Sequence, residues 1–566
     1  MSACCHVSRR EALRWGALVA ATPLLSLLPD PERAYAATAT APVPMNLELV
    51  TLTETSVVLT WFTGQAGATD EFGRLTPQPA TGEVLLGTSP ARLRQAYVSD
   101  SPTPYHYAEI TGLEPGQTYF YLALSNGIPA VPSTFAVGNP ASTGTLSRPT
   151  SAGGPYVFTT PQPPPGRFLF SIALANDIHM GETVAGQATS VNGMSVPPGF
   201  SQVPGEPPYP EVMAESMVAD ARARGAHRLI IAGDVTSEAA PTDQHRARQI
   251  LDGFGTYGVD YRVTRGNHDR SHSGATYDHC RVDPRGAGLY DCFHDEWFPG
   301  DTPTWFRQDV QGLRLLGLDT YDKVGTGADN GMLSAAQFDW VASQLAAEPD
   351  RPTLVFGHHP VTIEESVVNL EPVVFDLQPQ QALQLTDLYG KAPGVFLHHA
   401  GHSHRNYRAA QGNATNVTFQ EVGATKEYPG GFSLLRVHEG GFAVNFYKTR
   451  SALAREWSER TRQEDFGGAP FYTFGSIGDR NYVRSVDLSG ITAPGSSQAG
   501  STAAGPPSSD ADAGAGPGGP STSATGSRGE LAFTGLPDVA LPAAALVAGG
   551  AAAWALRRSQ QDPTGP

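Results

Sequence analysis

The stretch Phe168–His179 reads FLFSIALANDIH: eight apolar or small residues followed at once by Asn176, Asp177 and His179. An apolar run of this length, bounded by polar residues and lacking helical periodicity, reads as a buried strand. The same rhythm recurs downstream. RLIIAG (Arg228–Gly233) leads into Asp234, YRVTRG (Tyr261–Gly266) into Asn267, His268 and Asp269, TLVFG (Thr353–Gly357) into His358 and His359, and GVFLHHAG (Gly394–Gly401) into His402 and His404. LRLLGLD (Leu313–Asp319) is a further strand of this kind. Helix-like segments separate them. PEVMAESMVADARARG places Val212, Met213 and Val218 on one face and stops at Gly225, and SAAQFDWVASQLAAE does so with Phe338, Val341 and Leu345. Strands alternating with helices predict an α/β domain of sheets sandwiched between helix layers, over residues 165–450.

In open α/β sheets ligands collect beyond the carboxyl ends of the strands. Polar sets after five strand ends therefore converge on one crevice. Carboxylate, imidazole and one amide oxygen make a mixed N/O set suited to Zn, Mn or Fe, with no thiolate involved. A carboxylate such as Asp234 can bridge two cations, and two metals about 3.5–4 Å apart are the arrangement expected for in-line displacement at a phosphoester. Cations in such a pair lower the pKa of a water so that it attacks phosphorus, and His268 is placed to protonate the leaving alkoxide. A neighbouring carboxylate, Asp269, would raise the pKa of that imidazole.

The motifs NDIH, GD, GNHD, GHH and GHSH, in this order, resemble those of the calcineurin-like metallophosphoesterase family. With a β-sandwich in front the chain is most similar to purple acid phosphatases and their bacterial relatives. The resemblance implies one metal held by Asp177, His179, Asp234 and His404 and a second held by Asp234, Asn267, His358 and His402. It also implies His268 as general acid, oriented by Asp269. Two departures matter. His179 stands where the purple enzymes have glycine, and Ser237 stands where they have the tyrosine that binds ferric iron. A ferric-tyrosinate centre is therefore not expected. His359, Arg265 and Arg270 are candidates for contacting substrate. His398 and His399, inside the last apolar run, alternate faces and read as structural or as supports for a ligand imidazole.

Ahead of this domain, residues 42–138 carry short alternating apolar stretches, among them SVVLTWF (Ser56–Phe62), GEVLLG (Gly82–Gly87) and TYFYLAL (Thr118–Leu124). Their spacing predicts a β-sandwich. TGLEPGQTYFYLAL resembles the end of a fibronectin type III domain, with Leu113, Pro115 and Tyr119 at the corner and Trp61 in the core. A Pro/Gly/Ser-rich segment (Asn139–Gly166) joins the two regions.

Both ends read as addresses. Arg9 and Arg10, a short apolar run and AYAA resemble a twin-arginine export signal over residues 1–36. After an extension (451–488), residues 489–530 are a Ser/Gly/Ala/Pro-rich stalk. LAFTG (Leu531–Gly535), the apolar run Val539–Leu556 and Arg557–Arg558 then resemble an LAxTG sorting signal of high-GC Gram-positive bacteria, over 531–566. That resemblance implies the twin-arginine machinery and a sortase as partners in maturation, and attachment to peptidoglycan at the cell wall; a plain C-terminal membrane anchor is the alternative. Cys280 and Cys292 remain after signal removal, and a disulfide fits the exported compartment, a free pair being the alternative.

A net charge of −17, spread along the chain, gives no basic footprint for nucleic acid. The reading that follows is a surface phosphatase acting on a small phosphomonoester. A phosphodiesterase or 5′-nucleotidase with the same centre is the rival, and a non-catalytic adhesion protein is a third reading.

Overall fold

The computed structural model describes residues 41–494 apart from 70–73, 133, 136–145, 148–154, 187–189, 192–193, 196–198, 272–276, 278, 286–288, 325–328, 369–375, 463 and 465–468. The export signal, most of the stalk and the sorting signal lie outside the described residues.

Residues 42–159 form two antiparallel sheets. One contains Pro42–Leu52, Ser56–Thr69, Tyr105–Thr111 and Leu75–Pro77. The other runs Tyr156–Thr159, Thr118–Ser125, Gly82–Gly87, Arg94–Val98, with Ile128–Pro129 beside Thr118–Ser125. Their inward residues, Val57, Leu59 and Trp61 from one sheet and Val84, Tyr119, Tyr121 and Phe158 from the other, share one core. The Trp61 indole donates to Ser125 Oγ at 2.9 Å, and the Glu114 N–H donates to Tyr119 Oη at 3.0 Å, a corner that ties a strand start to the preceding loop. The sandwich extends past the expected boundary at 138. Tyr156–Thr159, inside the Pro/Gly-rich segment, supplies its last strand.

The second region holds two mixed six-stranded sheets. The first runs Tyr261–Thr264, Arg228–Ala232, Phe168–Ala175, Gly431–His438, Gly441–Lys448, Asn481–Ser485; its first three strands are parallel. The second runs Phe306–Val310, Leu313–Gly317, Thr353–Phe356, Val395–Ala400, Thr418–Glu421, Tyr407–Ala409, with its four central strands parallel. Period-2 alternation sorts the side chains. Leu313, Leu315, Leu354 and Phe356 pack with Ile172, Leu229 and Val263 of the first sheet, whereas Leu316, Val355 and Val395 pack beneath the helices Ala335–Ala347 and Pro379–Gly390. The helices Tyr209–Ala223 and Pro241–Leu251 cover the first sheet through Met217, Val218, Ala247 and Ile250.

The segment expected as an extension is integral. Asn481–Ser485 pairs with Gly441–Lys448, Leu488 and Ile491 are buried, and the Thr492 N–H donates to the Gln311 carbonyl at 2.8 Å, so ordered structure continues past the expected stalk start at 489. The sandwich is not a detached module either. Val50 and Val58 belong to the larger core, and Asn481 bridges the two regions, accepting from the Leu52 N–H at 3.0 Å and donating to the Val50 carbonyl at 2.9 Å.

Candidate metal centre

All seven expected ligands sit on turns at the carboxyl ends of parallel strands, and because both sheets present those ends at one edge, the turns meet. Asp177 and His179 follow Phe168–Ala175, Asp234 follows Arg228–Ala232, Asn267 follows Tyr261–Thr264, His358 follows Thr353–Phe356, and His402 and His404 follow Val395–Ala400. Five of them are in the left-handed region: Asp177 (φ 51°), His179 (48°), Asp234 (49°), His402 (70°) and His404 (53°). Non-glycine residues rarely adopt this conformation, and such strain is retained where surrounding structure dictates the side-chain direction. Glycine supplies the room. A Cβ on Gly266 would lie 2.1 Å from Asp234 Oδ1, so only glycine permits the Asn267 turn to lie against that carboxylate.

The ligating atoms are close. His404 Nε2 lies 3.5 Å from Asp177 Oδ1, and His179 Nε2 lies 3.8 Å from the same oxygen and 3.4 Å from Asp234 Oδ2. On the other side, His358 Nε2 is 3.1 Å from Asp234 Oδ2, 3.0 Å from Asn267 Oδ1 and 3.1 Å from His402 Nδ1. Asp234 is thus shared between one group with Asp177, His179 and His404 and another with Asn267, His358 and His402. Asp177 also accepts from the His402 N–H at 3.1 Å, and Asp234 from the His268 N–H at 3.0 Å.

The electrostatics fit cations. Burial pushes the carboxyls of Asp177 and Asp234 up, but His404 beside the first and His358 beside the second outweigh it and hold both well below the usual range. Burial likewise pushes the His358 imidazole down, and Asp234 and Asp177 reverse this, raising it to about 9. His404 is raised well above its ordinary value against burial, by Asp177 and Glu427. His402 is lowered to about 3 by burial and by the charge of His358. The raised imidazoles of His358 and His404 thus offset two buried carboxylates, and a cation held by the same atoms would take the place of those protons. Among the described residues, Nε2 of buried His179, the nitrogen that faces Asp177 and Asp234, makes no hydrogen bond, which leaves it available to a cation.

His268 lies at the mouth, its ring 4.7 Å from that of His179. Its Nδ1 donates to the Ser237 carbonyl at 2.8 Å, which fixes the tautomer and the ring plane. This corrects the expected role of Asp269. That carboxylate is buried and accepts from the N–H groups of Val235 (3.1 Å), Thr236 (2.8 Å) and Gly266 (3.0 Å) and from the Thr236 hydroxyl (3.0 Å). It ties the Asp234 and Asn267 turns together, while the Ser237 carbonyl orients His268.

The three expected substrate contacts are also corrected, because each side chain is buried against protein partners. His359 is buried, with Nδ1 2.7 Å from the Thr320 hydroxyl and Nε2 donating to the Asp329 carbonyl at 2.8 Å. Arg265 is buried against Asp291 (2.8 Å) and Asp319 (3.2 Å). Arg270 is buried against Asp283 (2.5 Å) and donates to the Lys323 carbonyl at 2.7 Å. Both arginines dock the segment closed by the Cys280–Cys292 disulfide, whose sulfurs are joined in the structure, onto the GNHD turn. His398 and His399 take opposite faces of their strand: His398 Nδ1 is 3.2 Å from the Tyr389 hydroxyl, and His399 Nε2 is 3.3 Å from the Ala175 carbonyl in the other sheet. Burial lowers the two to about 3 and about 4, so both are neutral supports.

Sequence reasoning missed the residues that hold the ligands. Glu427 Oε1 contacts His404 Nδ1 at 2.5 Å, the carboxylate–imidazole arrangement that orients a metal-binding histidine. Lys426 Nζ donates to Glu182 at 2.6 Å, and Asn176 Nδ2 donates to Asp177 Oδ2 at 2.5 Å. Asn176 opens the NDIH motif and Glu182 follows it, so both could have been suspected; Lys426 and Glu427 carry no spacing signal.

Residues 170–406 match the family described as calcineurin-like phosphoesterase. Comparison with curated proteins finds no match. Among solved structures, the chain is similar to a dimetal phosphatase from Danio rerio (13% identity, TM-score 0.37, 50% of this chain and 98% of that one). It is also similar to the purple acid phosphatase PPD1 from yellow lupin, Lupinus luteus, seeds (14%, 0.33, 72% and 72%). A fibronectin type III domain from a human protein matches at 20% identity and TM-score 0.13, over 22% of this chain and 90% of that one.

Proposed function

We propose that this chain is a dinuclear-metal phosphatase that hydrolyses phosphomonoesters outside the cell. The observation that carries the reading is the convergence of six candidate ligands around a shared Asp234, five of these seven residues being in left-handed backbone. One ion would be held by Asp177, His179, Asp234 and His404, the other by Asp234, Asn267, His358 and His402. Zn, Mn or Fe suits this donor set, and Ser237 in the tyrosine position argues against a ferric-tyrosinate. When bound, the two ions supply an activated water nucleophile and neutralise the phosphoryl oxygens.

The protein's own part is orientation and proton supply. Asp269 holds the Asp234 and Asn267 turns in register. The Ser237 carbonyl keeps the His268 proton on Nδ1, so Nε2 is the atom through which the protonated ring would donate to the leaving alkoxide. The disulfide-closed segment is pinned to the GNHD turn by Arg265 and Arg270. The twin arginines and LAFTG support export and wall attachment, with residues 489–530 as spacer, and the N-terminal sandwich is read as fibronectin type III-like.

Turnover of p-nitrophenyl phosphate and of bis-p-nitrophenyl phosphate tests the ester class. The monoester is expected to be favoured at least ~10-fold in kcat/KM, about 1.4 kcal/mol in transition-state binding. Preference for the diester would instead make the enzyme a phosphodiesterase.

A further inference from the structure

Three consecutive residues, Lys426, Glu427 and Tyr428, each reach a different part of the molecule. Lys426 pairs with Glu182, three residues beyond His179; Glu427 contacts His404; and the Tyr428 hydroxyl donates to Glu48 Oε1 at 2.6 Å. Glu48 is on the first strand of the sandwich. There its carboxylate is buried and also accepts from Lys448 Nζ at 2.7 Å, from the Thr60 hydroxyl at 3.1 Å and from the Arg462 guanidinium. Burial opposes the charge, but Arg462 and Lys448 outweigh it and keep the group ionised.

The strand is shaped for this contact. Its pairing with Ser56–Thr69 shifts register between Met45 and Glu48, and Asn46 in that gap has φ 56°. An irregularity of this kind re-aims a side chain, and Glu48 is the residue that emerges from it toward the catalytic region. The Tyr428 ring is fixed as well, with Lys448 Nζ 4.4 Å above it and Phe474 at 6.0 Å. The Tyr428 N–H donates to the Thr461 hydroxyl at 2.9 Å. One peptide bond separates this anchored tyrosine from the carboxylate that holds His404.

We infer that Glu48 is a positioning residue for the metal centre: by anchoring Tyr428 it places Glu427 against the His404 imidazole, so the N-terminal sandwich is part of the apparatus that holds one metal ion. This rests on the dinuclear reading above. It assigns the sandwich a task within the chain, independent of any wall polymer or partner.

The test is Zn²⁺ affinity, read by chelator competition on the full-length chain together with the melting temperature. Glu427→Gln and Glu48→Gln are expected to weaken one of two Zn²⁺ equivalents by roughly 10–100-fold, as loss of an outer partner of a ligating histidine does. Tyr428→Phe removes a single hydroxyl and is expected to weaken the same equivalent by about 5-fold, the size of one hydrogen bond; it carries the test should Glu48→Gln fail to fold. Asn481→Ala loosens the same domain interface away from this chain of contacts, and is expected to lower the melting temperature with both Zn²⁺ affinities intact. Wild-type affinity for both equivalents in Tyr428→Phe and Glu48→Gln would overturn the inference, leaving Glu48 as interface packing. A wild-type chain that binds no Zn²⁺ would instead overturn the dinuclear reading itself.

Discussion

Both halves of this molecule are pairs of packed sheets, and both bury histidine, but among the described residues the candidate metal site lies in only one of them. In the N-terminal sandwich the strands are antiparallel, so their carboxyl ends alternate between the two ends of the domain and no edge collects them. Its buried His106 is closed in by its own sheets: Nε2 lies 2.9 Å from the Thr63 hydroxyl and 3.2 Å from that of Ser125, and the ring stacks on Trp61 at 4.5 Å. In the second region five parallel strands deliver candidate ligands to a common edge, and left-handed backbone turns five of those seven side chains inward. Position just beyond a parallel strand's carboxyl end, more than residue type, separates the candidate ligands from buried histidines within strands, such as His106, His398 and His399.

Substitutions should therefore affect chemistry in one half and stability in the other. Asp234→Asn strikes the shared carboxylate and is expected to lower kcat/KM by at least ~10³-fold, about 4 kcal/mol of transition-state stabilisation. Near-normal turnover would break the comparison at its strongest point. His268→Ala is expected to lower kcat by roughly 10²–10⁴-fold while metal content stays at the wild-type value, which separates a proton donor from a ligand. Arg265→Ala leaves buried Asp291 and Asp319 with the more distant Arg285 (3.4 and 3.9 Å) as their remaining cation, and should cost about 3 kcal/mol of stability in denaturant unfolding. A substrate-binding arginine would raise KM and leave stability alone.

The smallest effect lies in the sandwich. Burial and the nearby Arg455 lower His106 to about 3 in the folded protein, below the ordinary 6.5 of an unfolded chain. Between those values the unfolded state binds more protons, so stability contributed by this group is complete above pH ~6.5 and is lost as pH falls toward 3. By pH 5 the loss is about 2 kcal/mol. His106→Leu, which leaves the Thr63 and Ser125 hydroxyls 2.7 Å apart to satisfy each other, should reduce the drop in melting temperature between pH 7 and pH 5. An unchanged drop would mean that His106 binds protons equally in the folded and unfolded chain.

Much of this was legible because the relevant signals are local. Apolar runs that end in polar residues marked the strands from Phe168 to Ala400 and the turns that follow them. What was not legible depends on partners far along the chain. Arg265 and Arg270 adjoin GNHD and looked like substrate contacts, but their side chains turn back toward Asp291, Asp319 and Asp283. Asp269 adjoins His268 in sequence, yet its carboxylate faces the amides of the Asp234 turn. Tyr156–Thr159 and Asn481–Ser485 are short strands in turn-rich or polar sequence, and only pairing with Thr118–Ser125 and Gly441–Lys448 makes them strands. Glu427 has no motif at all, since its partner His404 is fixed by the fold.

Metal analysis of the purified full-length chain tests the central claim most directly. Two equivalents of Zn, Mn or Fe per chain are expected in the wild type, falling when Asp234 is replaced by asparagine. A catalytically active protein holding no metal would contradict the account.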